Sequence, residues 1–309
     1  MNHRERFLRA AAELGVPADE ATAFAGFLRF AIWTSPHYTG PVVGQRGGLP
    51  RLPADMPWPS SGSLPLPFIA SFDCAALPRV DDLPLPADGS LLLFLDHDMA
   101  LEEREENDND SEMEYARVVY VPVGTPTVTA PEPDHSGQPF YNTTLSFIGD
   151  ERPLIAEVNA ELPSWLRRAD MATPTAPGSD DHLGLRLPHR EELRVLAGKL
   201  WPESNGASVR LGGYTGGIGA LATDHMYATP ETEMAEKNLE ARKRAGELVI
   251  RPGERDAYLE RETLRVMREW LPLAQFVPDE VHRGRFLIRR DHLAAGRFDE
   301  ALSFTAFTE

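Results

Sequence analysis

Thirteen residues, Gly47 to Pro59, constrain this chain more than any other stretch: they read GGLPRLPADMPWP, with two glycines, four prolines and one tryptophan. Each proline fixes φ and removes a backbone donor, while each glycine opens the φ > 0 region closed to other residues. Neither a helix nor a central strand can run through such a segment. A rigid, irregular loop wrapped over the body of the protein is expected, with Gly47, Gly48, Pro50, Pro53, Trp58 and Pro59 as an architectural motif. Trp58, set between prolines, reads as a latch that holds this loop onto the core, since a large ring with one polar donor anchors well.

A chain of 309 residues, 42% hydrophobic and 26% charged, can bury a sizeable core without staples. The formal charge of −17 works against nucleic-acid binding, which depends on clustered Lys and Arg. It would instead draw a basic protein partner. One cysteine, Cys74, allows no intrachain disulfide, and Met1 to Gly15 reads as a helix and not as a leader, so a cytoplasmic location is expected. The longest clean apolar run, Leu91 to Leu95, falls far short of the roughly 20 residues of a membrane span.

Apolar spacing predicts helices over His3 to Leu14 and Asp19 to Ile32. From Ser35-Pro36 onward the texture turns to short apolar runs, and strands are expected at Phe68 to Phe72, Ser90 to Leu95, Arg117 to Val123 and Thr125 to Thr129. Ser90 to Leu95 reads as a strand buried on both faces and central in its sheet. Asp96 to Glu114 holds ten acids against one arginine and is expected to be a solvated tip or disordered. Helices are expected at Arg190 to Leu200 and Glu231 to Glu247, and the final sixty residues read as strand-rich, with strands at Arg285 to Arg289 and Ala301 to Phe307.

The fold class expected is α+β: a β-rich core of mostly antiparallel strands with N-terminal and peripheral helices. Its parts would be 1–40 (helical), 41–169 (first β-rich half), 170–188 (linker) and 189–309 (second half), joined in one unit. A faint internal echo pairs Phe68 to Asp73 with Phe286 to Asp291, each downstream of a Gly-Gly, and suggests two related halves.

Gly47 to Pro59, with Pro65-Leu66-Pro67-Phe68 after it, resembles the YwqG-like family, a bacterial group largely of unknown function. The second Gly-Gly, Gly212-Gly213-Tyr214, and the segment from Trp270 to Phe307 fit the same pattern. The resemblance runs in patches over about Pro41 to Asp96 and Val209 to Phe307. It implies a structural turn at Gly212-Gly213-Tyr214, with no ligand attached to it. Ser71 departs from the pattern, which has glutamine there; Gln275, within Leu273-Ala274-Gln275-Phe276, sits in a comparable setting in the second half.

Motifs with catalytic grammar are scarce. Gly212 to Gly219 lacks the Lys-Ser/Thr of a phosphate loop and the spacing of a dinucleotide fingerprint. Nine histidines are scattered with no i, i+4 pair, and Asp96-His97-Asp98 reads as solvated. Asp108 to Glu112 lacks the glycine and the twelfth-position glutamate of a calcium loop. Cys74 follows Asp73, whose charge disfavours a thiolate. No metal, cofactor or catalytic residue is assigned. If an anion binds, the expected residues are Arg285 and Arg289, with Gly212, Gly213 and Tyr214. The function expected is a non-enzymatic interaction or scaffold module with an acidic surface; the alternative is a small-ligand binder or hydrolase with a cleft between two β-rich halves.

Overall fold

The computed structural model describes residues 1–106, 111–138, 146–163, 166, 187–204, 206–215, 229–277 and 282–307. Helix α1 (His3–Glu13) opens with a capping box, in which the Asn2 side chain accepts from the Glu5 N–H while the Glu5 carboxylate accepts from the Asn2 N–H. Helix α2 (Ala18–Ala25) ends at Gly26, and the chain then enters strand β1 (Arg29–Ser35). The helix expected through Ile32 is therefore corrected. Phe30-Ala31-Ile32-Trp33-Thr34 is rich in aromatic and β-branched side chains and is buried on both faces, a pattern that periodicity alone cannot separate from a buried helix.

Strands β2 (Val42–Arg46), β3 (Arg51–Pro53), β4 (Ser60–Ser61), β5 (Leu64–Pro65), β6 (Phe68–Asp73) and β7 (Ser90–Leu95) follow. Then comes helix α3 (His97–Glu106), where a solvated tip was expected. Asp96 starts this helix: its carboxylate accepts from the Met99 N–H at 3.1 Å, and the Met-Ala-Leu-Glu-Glu run that follows is made of good helix formers. The remainder comprises β8 (Ala116–Val121), β9 (Thr127–Thr129), β10 (Arg152–Glu161), α4 (Arg190–Leu200), β11 (Val209–Gly212), α5 (Pro230–Arg244), α6 (Arg255–Glu269), β12 (Trp270–Phe276), β13 (His282–Arg289), α7 (Arg290–Ala294) and β14 (Leu302–Phe307). Helix α6 was not anticipated within the strand-rich close.

Ten strands form one antiparallel sheet in the order β14-β13-β12-β11-β1-β10-β2-β6-β7-β8, so the fold is α+β with a β-rich core. The sheet curls strongly. A Cβ on Gly284 of β13 would lie 2.5 Å from the Phe276 ring and 2.8 Å from Leu95 of β7, so strands far apart in the order meet across the interior. The main core fills this interior with Phe30, Ile32, Phe72, Leu91, Leu93, Leu95, Phe276 and Phe286, and α1, α2 and α4 add Phe7, Phe24 and Leu193. Arg46 crosses one end: its guanidinium donates to the carbonyls of Ser208 (3.3 Å) and Val277 (2.6 Å).

The strand order contains one meander twice, β2-β6-β7-β8 and β11-β12-β13-β14, flanking the central pair β10 and β1. In each copy the first strand leads into two glycines at positive φ, Gly47 (64°) and Gly48 (69°) or Gly212 (77°) and Gly213 (80°). The second strand carries a register shift just before Ser71 or Gln275. A helix follows the third strand, and a 3-10 turn (Ser111–Tyr115 or Phe298–Glu300) precedes the fourth. Ile69-Ala70-Ser71-Phe72 thus corresponds to Leu273-Ala274-Gln275-Phe276, which corrects the echo with Phe286 to Asp291. Strand β13 instead corresponds to β7. That strand is buried on both faces, as expected, but lies next to the edge strand β8 and not at the centre.

The proline-rich loop covers the outer face of the first meander, where Leu52, Leu66, Phe68, Leu92, Phe94 and Val121 form a second apolar cluster. Trp58 packs edge-on against Phe94 (centroids 6.0 Å apart, 79° between planes), and its Nε1–H donates to the Leu66 carbonyl at 2.8 Å. The carbonyls of Pro50, Pro53 and Pro59 accept from the N–H groups of Ala130, Met56 and Leu66, so this irregular backbone keeps its polar atoms paired.

Asp96 is 1% exposed, contrary to the solvated reading, and His97 is equally buried. Burial pushes the Asp96 carboxyl above its usual range, against the opposing pull of the Met99 N–H and the Gln138 amide. Gln138 Nε2–H donates to Asp96 Oδ2 and to the Pro65 carbonyl, both at 2.8 Å, tying three loops together. Because the folded pKa is raised, the folded state binds this proton more tightly, and the contribution of Asp96 to stability grows as pH falls from neutral through that pKa. Urea unfolding of wild type and Asp96→Asn over a pH series checks this. The stability advantage of the variant is expected to shrink toward acid pH; a gap independent of pH would refute it.

Candidate functional site

The outer faces of the two meanders differ. From the central pair across the second meander runs one straight row of paired residues: Glu157 of β10, Trp33 of β1, Arg210 of β11, Gln275 of β12 and Arg285 of β13, with Phe304 of β14 at its end. Paired residues in register point to the same face, so these side chains form one line. The corresponding row of the first meander reads Gln45, Ser71, Leu92 and Val119. Arg210 corresponds to Gln45, Gln275 to Ser71 and Arg285 to Leu92.

Each row carries a glutamine clamp on its Gly-Gly turn. Gln275 Nε2–H donates to the carbonyls of Gly212 (3.4 Å) and Tyr214 (3.0 Å), and Gln45 Nε2–H donates to those of Gly47 (3.0 Å) and Leu49 (3.2 Å). The glutamine missing at Ser71 has thus been replaced from the neighbouring strand, because Gln45 lies directly opposite Ser71. The Gln275 side chain is fully buried, and among the described residues its Oε1 has no hydrogen-bond donor within reach.

Beside the row, Glu161 of β10 organises the second Gly-Gly turn. Its carboxylate accepts from Trp33 Nε1–H (2.7 Å) and from the Tyr214 N–H (2.8 Å), with Arg210 Nη1 3.8 Å away. The Arg210 guanidinium lies over the Trp33 ring at 4.2 Å from its centroid, a favourable cation–π geometry. The described part of the turn therefore cradles an internal carboxylate, the role a phosphate has in a nucleotide loop; Gly216 to Gly219 lies outside the described residues. Tyr214 is further held by Arg29, stacked at 4.2 Å, and its hydroxyl donates to the Phe27 carbonyl. Arg29 and Arg290 donate to the carbonyls of Met267 and Arg268 at the end of α6, which docks that helix on the sheet.

The residues singled out in the sequence divide accordingly. Gly212, Gly213, Tyr214 and Arg285 meet around Gln275. Arg289 stands apart, 41% exposed at its side chain and paired with Asp291 through two hydrogen bonds of 3.0 and 3.1 Å. Sequence reasoning missed Trp33, Arg210 and Glu161. Their signal is visible only afterwards: alternating polar residues in otherwise apolar strands, as in Val209-Arg210-Leu211.

At the other end of the row, Ser204 Oγ–H donates to Glu157 Oε2 at 2.5 Å, and its N–H donates to Asn159 Oδ1. Burial, and then the charge of Glu157, keep the nearby Tyr38 phenol protonated by pushing its pKa up. Burial, and then the charge of Asp73, push the pKa of the Cys74 thiol up to about 11. Among the described residues, no group of three or more His, Cys, Asp or Glu could hold a metal ion. Asp170 to Asp181, most of Asp108 to Glu112, His182 and His225 lie outside the described residues.

Residues 45–305 match the family described as Domain of unknown function (DUF1963). The chain belongs to that family. The DUF1963 span opens at Gln45, the first clamp, within β2, and takes in most of both meanders together with β10; β1, with Trp33, precedes it. No curated protein matches the chain.

Proposed function

We propose that this DUF1963 protein is a binding module without a reaction of its own, and that its recognition face is the row Glu157, Trp33, Arg210, Gln275 and Arg285. One observation carries this reading: the same row in the other meander is neutral to apolar and is packed under the proline-rich loop. Leu92 and Val119 serve a folded core well, so the fold itself does not require arginines at these positions. Buried guanidiniums cost several kcal/mol each to desolvate, of the order of 3 kcal/mol or more, and are poor devices for stability alone. The row lies on the outer face of the sheet, from its central pair across the second meander.

Supporting the absence of chemistry, the Glu161 carboxylate is committed to Trp33 and Tyr214, and the Cys74 thiol is protonated. The patterned loops, Gly47 to Pro59 and Gly212-Gly213-Tyr214, support placing the chain with the YwqG-like proteins. A lone buried cysteine supports a cytoplasmic setting, and no described helix is long and apolar enough to cross a membrane. A second reading, a basic protein partner attracted to the acidic surface, draws on the net charge of −17.

The test is a thermal-shift screen of a metabolite library on wild type and on Arg210→Gln/Gln275→Ser/Arg285→Leu, in which each replacement is the residue of the other meander. Compounds that raise the melting temperature of wild type alone are expected. Hits that stabilise both proteins equally, or none, would refute the row as the recognition face.

A further inference from the structure

We propose that the helical hairpin of α5 and α6 carries a second binding site, separate from the row, and that its ligand is a small aliphatic monocarboxylate. The hairpin is tied to the rest of the protein at its base, where Thr215 Oγ1–H donates to Glu231 Oε2 at 2.6 Å and Arg29 and Arg290 hold the end of α6. Toward the other end, where residues 245–254 connect the helices, a pocket of about 380 Å³ opens between them. Small-molecule sites occupy about 300–1,000 Å³, so there is room for a ligand.

The walls are apolar. Leu239 of α5, 5% exposed, lines the pocket together with Ile250 and Pro252 of the connection and Leu259 of α6. Val249, beside Ile250, is 83% exposed and continues this apolar surface along the connection. An aliphatic body placed here leaves water for a largely hydrocarbon surface, and each pair of buried methylenes strengthens binding roughly tenfold.

The charges of the pocket are balanced, with one exception. Lys243 Nζ pairs with Glu240 at 2.9 Å, and Arg255 Nη2 reaches across from α6 to Glu236 at 3.0 Å. Arg251 donates its backbone N–H to Glu254 Oε2 at 3.3 Å, but among the described residues its guanidinium has no acceptor and no carboxylate partner. Its N–H donors are open to a ligand. Three cations against two acids leave a surplus of one positive charge around the pocket, in a chain whose formal charge is −17. One negative charge therefore completes the set, whereas a dianion would also meet Glu236 and Glu240.

The balance of the two contributions sets the ligand class. A solvent-exposed guanidinium holds an anion only weakly, by about fivefold or less, so a bare anion gains little. Most of the affinity must come from the walls. A carboxylate on an aliphatic chain of several carbons uses both.

The experiment is isothermal titration calorimetry of the full chain with octanoate, hexanoate, octanamide and octyl phosphate. Octanoate is expected to bind at one site in the millimolar range or tighter, hexanoate about tenfold more weakly and the uncharged octanamide about fivefold more weakly. Arg251→Gln, a change at an exposed loop position, is expected to bring octanoate down to the level of octanamide. Arg251→Lys, which keeps the charge, is expected to restore most of the loss. Ile250→Asn is expected to weaken octanoate and octanamide alike by about tenfold, leaving their ratio unchanged.

Absence of heat with octanoate at 10 mM, roughly ten times the expected dissociation constant, overturns the proposal. So do equal binding of octanamide, tighter binding of octyl phosphate than of octanoate, uptake that does not saturate at one site, or affinity unchanged in Arg251→Gln and Ile250→Asn. The pocket shares no lining residue with the row, so none of these outcomes bears on the row.

Discussion

Gly44→Ala is expected to destabilise the protein by about 3 kcal/mol or more, the upper range for forcing atoms into a packed interior. Gly44 lies in β2 opposite Phe72 of β6, and a Cβ there would stand 2.0 Å from the Ser71 carbonyl oxygen and 3.0 Å from its carbon. The obstacle is backbone of the neighbouring strand, so no rotamer change relieves it. Separating β2 from β6 opens the junction between the central strands and the whole first meander, and shifts Gln45 off the carbonyls it clamps. Urea unfolding followed by circular dichroism measures the effect. A loss below about 1 kcal/mol would show that the two strands can part locally at low cost.

Gly213→Ala is expected to cost about 3–5 kcal/mol, the range for breaking a buried charged pair. Gly213 has φ of +80°, a region L side chains rarely adopt, and its Cβ would fall 2.3 Å from Glu161 Oε2. Moving that carboxylate takes acceptors from the Trp33 indole and the Tyr214 N–H, and removes the charge beside Arg210. The mechanism makes a sharper statement than the magnitude. Once Glu161→Ala has emptied the space, adding Gly213→Ala should cost only the backbone strain, about 1–2 kcal/mol, so the double variant falls well short of additivity. Additive losses would mean that Gly213 answers to the turn alone and not to Glu161.

Much of the local architecture could be seen in the chain itself. Ser90 to Leu95 and Arg190 to Leu200 form the elements expected, because a continuous apolar run between turn residues and a clean helical stripe each leave one choice. The wrapped loop from Gly47 to Pro59 follows from ring constraint and free φ. Arg29 to Ile32, the first part of β1, reads as helix because a segment buried on both faces shows no period. The α3 helix was read as coil because its acids hid a cap at Asp96 that matters only when the carboxylate meets the Met99 N–H. The candidate site was less visible still. Arg285, Gly212, Gly213 and Tyr214 could be named from composition, but Arg289 was grouped with them on strand spacing alone, and Asp291 claims it.

The sequence by itself determined what depends on neighbours along the chain: which stretches bend, which extend, where glycine frees the backbone and where proline locks it. Tertiary structure alone decided the register. Placing Trp33, Arg210, Gln275 and Arg285 in one line joins residues up to 252 positions apart, from 33 to 285, through three strand pairings. A shift of one residue in any pairing would send a side chain to the opposite face. That register is fixed by the apolar alternation facing the interior and by the bulges ahead of Ser71 and Gln275, a collective packing solution that no local segment encodes.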